Sequence, residues 1–210
     1  MVVGLVRGYP PPSGELHVQR PLIAIGTGTG IAPIRSLIQE RDLYRKTGGT
    51  LLFFGARNRD ADFHYCREWP QYNGLKVITA FSRDPIDEAE KAFLDPYKMQ
   101  ALDVVRTEYD GLTPRADPMD ATNTPWLQSF DYDRGKMYIQ HQVRRHARDI
   151  CALVDRGPAP PIFVICGNAG RMPISVRRAL EDALVIGGKA ADNEQAKRML
   201  QDWGMWVETW

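Results

Sequence analysis

Pro21-Leu22-Ile23-Ala24-Ile25-Gly26-Thr27-Gly28-Thr29-Gly30-Ile31-Ala32-Pro33 is the stretch whose reading decides the fold. Leu22 to Ile25 reads as a short apolar strand. The continuation reads as a helix, with Ile34, Leu37, Ile38, Arg41 and Tyr44 on one face and Gly48-Gly49 as its stop. Between them, three glycines in five residues let the backbone approach a ligand and take φ values that a side chain forbids. The N–H groups at the start of the helix then face whatever binds, which favours a polyanion such as a pyrophosphate. The spacing departs from Gly-x-Gly-x-x-Gly, which would need glycine where Ile31 stands. The next strand, Thr50 to Phe54, runs into Gly55-Ala56-Arg57-Asn58-Arg59 instead of the acid that holds a ribose hydroxyl, and a basic end suits a phosphate.

The alternation continues along the chain. Leu51 to Phe54 is apolar without a break, as in a strand buried on both faces of a parallel sheet. A short helix is predicted over Ala61 to Trp69, stopped by Pro70, and a third strand over Leu75 to Phe81, ending in Ser82-Arg83. Lys136 to Ile139 leads into a helix with Val143, Ala147, Ile150, Cys151 and Val154 inward, closed by Gly157-Pro158. Pro161 to Cys166 is a fourth strand, Pro173 to Ile186 and Asn193 to Trp203 are helices, and Gly204 precedes a last segment, Met205 to Trp210. This pattern predicts an α/β fold, a doubly wound parallel β-sheet of about five strands flanked by helices, with ligands outside the carboxyl ends of the strands. The turns at Gly26 to Gly30, Gly55 to Arg59, Ser82-Arg83 and Cys166-Gly167-Asn168 all fall at such ends.

Composition narrows the setting. Hydrophobic content of 43% and charged content of 25% in 210 residues support a buried core, and no apolar run reaches membrane-spanning length. Met1 to Pro12 is too short and too rich in proline for a signal sequence, so a cytoplasmic protein is expected. The three cysteines show no Cys-x-x-Cys spacing, and His141 and His146 have no evident third ligand, so neither a disulfide framework nor a metal site is expected. Cys66 and Cys151 read as core residues on helix faces, whereas Cys166 stands at a strand end. Asp84 to Arg134 carries 12 acidic and 5 basic residues and reads as a partly helical surface insertion. The remainder carries 14 acidic and 22 basic residues, a surplus that suits a polyanionic ligand as readily as an ordinary solvated surface.

Ser82 and Arg83 offer a hydroxyl and a guanidinium, Lys136 a point charge, and Tyr138 a ring with a hydroxyl, the groups needed to grip a phosphate monoester and stack an adenine. Together with the glycine loop, these residues resemble the NADP-binding domain of the ferredoxin-NADP reductase superfamily, and within it the diflavin reductases. Gly26 to Pro33 resembles the pyrophosphate loop, with Gly28, Thr29 and Gly30 at its centre. Phe81-Ser82-Arg83 and Lys136-Met137-Tyr138-Ile139-Gln140-His141 resemble the 2′-phosphate site, and Arg57, with Arg59 a neighbour of the same type, is similar to the arginine that supports the adenine or the phosphates. Val164-Ile165-Cys166-Gly167 resembles the nicotinamide-side cysteine turn, continued by Asn168, where many relatives have aspartate, and by Arg171-Met172-Pro173.

The resemblance implies that Cys166 helps place the nicotinamide. It implies that Glu208 supplies the carboxylate, usually an aspartate, that stabilises growing positive charge, and that Trp210 stacks on the flavin and swings away. It further implies NADPH as the ligand, with FAD and FMN on other domains of a longer parent. Residues 1–20 are then expected to be the residual last strand and linker of an FAD-binding domain, and 21–210 the NADP(H)-binding domain with its insertion at 84–134. Gln39-Glu40-Arg41, the terminal Trp210 and the long acidic insertion most resemble the NADPH-dependent diflavin oxidoreductases of cytosolic iron-sulfur cluster assembly, which implies an iron-sulfur acceptor protein. The microsomal cytochrome reductases are the near alternative, and a nucleotide-sensing module without redox role is the alternative from another class. A dehydrogenase carrying its own substrate site fits neither the glycine spacing nor the lack of an acid-base pair.

Overall fold

The structure, a computed structural model, describes residues 19–44, 48–85, 136–157 and 159–210. Five strands form one parallel sheet: β1 (Leu22–Thr27), β2 (Thr50–Ala56), β3 (Leu75–Phe81), β4 (Ile162–Gly167) and β5 (Met205–Thr209), in the order β3-β2-β1-β4-β5. The order reverses at β1, so the switch point of this doubly wound sheet falls where the glycine loop leaves β1. The helices are α1 (Ile31–Asp42), α2 (Arg59–Asp62), α3 (Ile139–Arg145), α4 (Ala147–Val154), α5 (Met172–Ile186) and α6 (Asn193–Trp203).

Period-two alternation on the central strands divides the core into two layers. Ile23, Ile25, Leu51, Phe53, Phe163 and Ile165 face α3 to α6, where Val176, Leu180, Leu184 and Leu200 meet them. Leu22, Ala24, Leu52, Phe54 and Val164 face α1 through Ile31, Ile34 and Ile38. β1 runs two residues beyond the predicted Ile25, because Gly26 pairs with both Phe54 and Cys166, and Thr27 with Gly55. At the far end of α1, the buried Arg41 guanidinium donates to the Arg20 carbonyl at 2.7 Å, and burial lowers its pKa to about 10. α1 stops at Asp42, and Tyr44, expected on its inner face, is 37% exposed beyond it.

The helix expected over Ala61 to Trp69 does not form. α2 ends at Asp62, Tyr65 takes φ +60°, and only a 3-10 turn at Trp69–Gln71 follows. Tertiary packing overrides propensity here. The Phe63 ring stacks on Phe54 and meets Phe81 edge-on, both at 5.5 Å, and the buried Trp69 indole donates to the His64 carbonyl at 3.0 Å. Cys66 is consequently exposed rather than core, while Cys151 is buried as expected. The helix expected around Val143 to Val154 is broken at His146 into α3 and α4. The expected flavin-domain remnant, apart from Gln19 and Arg20, and the insertion, apart from Asp84 and Pro85, lie outside the described residues. Among the described residues no helix is long and apolar enough to cross a membrane.

Candidate nucleotide-binding cleft

The carboxyl ends of the strands open onto a cleft of about 940 Å³. Its floor is the loop after β1, where Thr27, Gly28 and Thr29 line it and Gly28–Gly30 make a 3-10 turn that runs into α1. Gly30 lets that turn rest on the next strand end. A Cβ there would stand 2.4 Å from the Cys166 carbonyl oxygen and 2.7 Å from the Gly167 Cα. Gly167 itself has φ +147°, and a Cβ on it would lie 2.3 Å from Thr27 Oγ1. The two loops therefore fit together only as glycines.

One wall follows β2 and β3. Arg57 lines the cleft with its Nε 3.4 Å from Asp62 Oδ2, whereas the Arg59 guanidinium turns away and lies 4.8 Å over the Phe81 ring. This separates two neighbours of the same type that sequence alone leaves equivalent. The Asn58 backbone N–H, and secondarily Arg57, hold the Asp62 carboxyl below its usual range. Ser82 lines the cleft and is held to β2 by its backbone N–H, which donates to the Ala56 carbonyl at 3.0 Å; Arg83 next to it is exposed and does not line the cleft. Asp84 closes the turn by accepting from Asn58 Nδ2 and the Arg59 N–H.

The second wall is the start of α3. Met137, Tyr138, Ile139 and Gln140 all line the cleft, and Lys136, half-buried, does not line it. α3 is fixed to α5 by a buried pair, Arg144 Nε to Asp182 Oδ2 at 2.7 Å, whose other carboxylate oxygen accepts from Asn193 Nδ2 at 2.8 Å.

The third wall is the turn from β4 into α5. Asn168 accepts the Gly170 N–H at 2.8 Å through its own Oδ1, and Arg171, Met172 and Ser175 present the amino end of α5 to the cleft. Trp210 closes this side at 55% exposure, with its N–H on the Gly167 carbonyl at 3.2 Å and its own carbonyl accepting from Ala169. Cys166, Gly167 and Glu208 do not line the cleft, nor does Gly30 of the glycine loop. Cys166 is 1% exposed and pairs with Glu208 across β4 and β5; burial, with the nearby Glu208 carboxylate, pushes its thiol up to about 12. Burial and the raised pKa both favour the thiol over the nucleophilic thiolate. Glu208 Oε2 is buried with no hydrogen-bond partner among the described residues.

Sequence reasoning missed Asp62, His64 and Ser175 as lining residues and gave Arg171 no role of its own within the Arg171-Met172-Pro173 segment. Asp62 and His64 were hidden inside the helix that does not form. Arg171 and Ser175 carried a readable signal, since they stand at the amino end of the helix that follows a strand end.

Residues 24–104 match the oxidoreductase NAD-binding domain family. An NADPH-cytochrome P450 reductase of Aspergillus niger is 50% identical over 191 residues, covering 87% of this chain and 20% of the relative. One from Aspergillus fumigatus is 42% identical over 191 residues, with the same coverage of 87% and 20%. An NADPH-dependent diflavin oxidoreductase 1 of Gibberella zeae is 29% identical over 204 residues, covering 95% of this chain and 25% of the relative. The chain thus spans 20% to 25% of the length of these relatives.

Proposed function

We propose that this chain is an oxidoreductase NAD-binding domain of the ferredoxin-NADP reductase superfamily and, within it, the NADPH-binding module of a diflavin reductase. The observation that carries the reading is a single cleft at the switch point, lined at once by the glycine loop, by Arg57, Ser82 and Tyr138, and by Trp210. The residues fit the ligand. The cleft lies within the roughly 300–1,000 Å³ of small-molecule sites. A Cβ on Gly28 would meet nothing within 4 Å, so this turn faces open space. The amino ends of α1 and α5 both border the cleft and bring partial positive charge to it.

In this reading Gly28, Thr29 and Gly30 hold the pyrophosphate, and Ser82, Arg83, Lys136 and Arg57 hold the 2′-phosphate. Tyr138 and Gln140 flank the adenosine. Gly167, Asn168 and Met172 shape the nicotinamide side. NADPH supplies the hydride once bound. The chain's own task is placement: Cys166, buried outside the lining, is a neutral packed support for the turn at Gly167, and the unpartnered Glu208 oxygen favours positive charge nearby. Trp210 is the cover that moves aside.

The parent would carry FAD and FMN on further domains of the same chain, receive the hydride on FAD and pass electrons through FMN. The acidic insertion and the Gln39-Glu40-Arg41 segment support an iron-sulfur acceptor protein in cytosolic cluster assembly. Identities of 50% and 42% to NADPH-cytochrome P450 reductases favour a second reading, a parent that reduces a cytochrome P450. Mixing the chain with the flavin-loaded remainder of its parent and following flavin bleaching by stopped flow tests the module. Reduction by NADPH only when the chain is present supports it, and a chain that makes no difference refutes it. Supplying an iron-sulfur protein or a cytochrome P450 as the final acceptor then separates the two readings.

A further inference from the structure

We propose that His141, which lies outside the cleft, is the positioning residue that sets Tyr138 at the cleft wall. The inference rests on the NADPH reading and deepens it, because Tyr138 is the group that would flank the adenosine. Tyr138 occupies the N-cap of α3 in extended conformation, φ −105° and ψ 161°. Tyrosine is not among the side chains that ordinarily cap a helix. The exposed cap N–H is met instead from within the helix: the Tyr138 N–H donates to His141 Nδ1 at 3.1 Å, while the His141 N–H donates to the Tyr138 carbonyl at 3.0 Å. This reach-back from the third helical position is the half of a capping box that Glu or Gln usually supplies.

Two features suit an imidazole here. His141 is 1% exposed, so a carboxylate would be a buried charge, whereas a neutral ring accepts at Nδ1 and carries its proton at Nε2. Its ring also stands edge-on to Tyr138, 5.8 Å between centroids at 68°, and backs the ring that faces the cleft. Met137 and Ile139, both buried, fix the chain on either side. Burial, with the Arg144 charge second, lowers the imidazole pKa to about 3, so the acceptor persists at any pH where the protein would work.

The test combines a binding cycle with a ligand-free readout. The wild-type chain, His141→Leu, His141→Gln, Tyr138→Ala and the Leu/Ala double variant are titrated with 2′,5′-ADP by calorimetry, and Tyr138 amide exchange is followed by NMR. His141→Leu should weaken binding about five- to tenfold, the worth of one net hydrogen bond, and speed Tyr138 amide exchange by a similar factor. His141→Gln, which keeps an acceptor, should restore both. In the Tyr138→Ala background the Leu change should cost no further affinity. Additive losses, or a Gln variant no better than Leu, would overturn the proposal. A wild-type chain that ignores 2′,5′-ADP would defeat the NADPH reading, and the exchange data would still decide whether His141 holds Tyr138.

Discussion

Gly30→Ala tests the seating of the glycine loop. The added Cβ would stand 2.4 Å from the Cys166 carbonyl oxygen, 2.5 Å from its carbon and 2.7 Å from the Gly167 Cα. Ordinary contact begins at 3.4 Å, and every opposing atom is backbone, so no side chain can rotate away. The two turns must part by roughly 1 Å, and overpacking of this kind costs about 1–3 kcal/mol. In a domain of this size each kcal/mol lowers Tm by about 2–4 °C, so a loss of about 2–12 °C is expected in a circular-dichroism melt. Binding sites tolerate about 0.5 Å of misplacement, so affinity for 2′,5′-ADP should also drop, by about tenfold. In the melt, Gly28→Ala isolates backbone strain from packing. Its Cβ meets nothing within 4 Å, and only the strain of φ +54° remains, about 1–2 kcal/mol. A Gly30→Ala protein that melts within about 1 °C of wild type and binds normally would refute the packing argument.

The remaining predictions concern α3. Asp182→Ala leaves the Arg144 guanidinium buried without its carboxylate, which should destabilise the fold by about 3–5 kcal/mol in chemical denaturation; a change under about 1 kcal/mol would show that the pair contributes little. For His141 the folded pKa of about 3 lies below the unfolded value near 6.5, so the unfolded chain takes up the proton first. Stability should therefore fall as pH drops from about 6.5 toward 3, with a contribution of about 1.4 kcal/mol per pH unit. His141→Gln should flatten that part of the profile, and identical slopes in the two proteins would contradict the assignment.

Much of the fold was legible because its signals are local. β3 and α6 stand where hydrophobic pattern, Gly204 and the Asn193 start placed them, and Leu51 to Phe54 announced a strand buried on both faces. What failed was decided by distant contacts. No periodicity in Ala61 to Trp69 reveals that Phe63 must wedge between Phe54 and Phe81, and this wedge ends α2 and turns Cys66 outward. The break at His146 is equally silent in a helix-compatible sequence.

The site divides the same way. Gly28, Thr29, Arg57, Ser82, Tyr138, Gln140, Asn168, Met172 and Trp210, all read from sequence, line one cleft. Their roles toward the nucleotide remain proposals, but their convergence follows from the strand order. Cys166 does not line the cleft because it is buried in the layer that faces α1, and Glu208, half-buried, is its partner across β4 and β5, a neighbour relation no local motif encodes. Asp62 and His64 reach the cleft only because the helix after β2 is cut short.

The central claim is that this cleft distinguishes a 2′-phosphorylated nucleotide. Calorimetric titration with 2′,5′-ADP and with 5′-AMP, on wild type and on Arg83→Ala, measures this directly. Tight binding of 2′,5′-ADP, weak binding of 5′-AMP, and a loss on the order of 1.5–3 kcal/mol for 2′,5′-ADP alone when Arg83 is removed are expected. Equal affinity for the two nucleotides, or binding of neither, would contradict the claim.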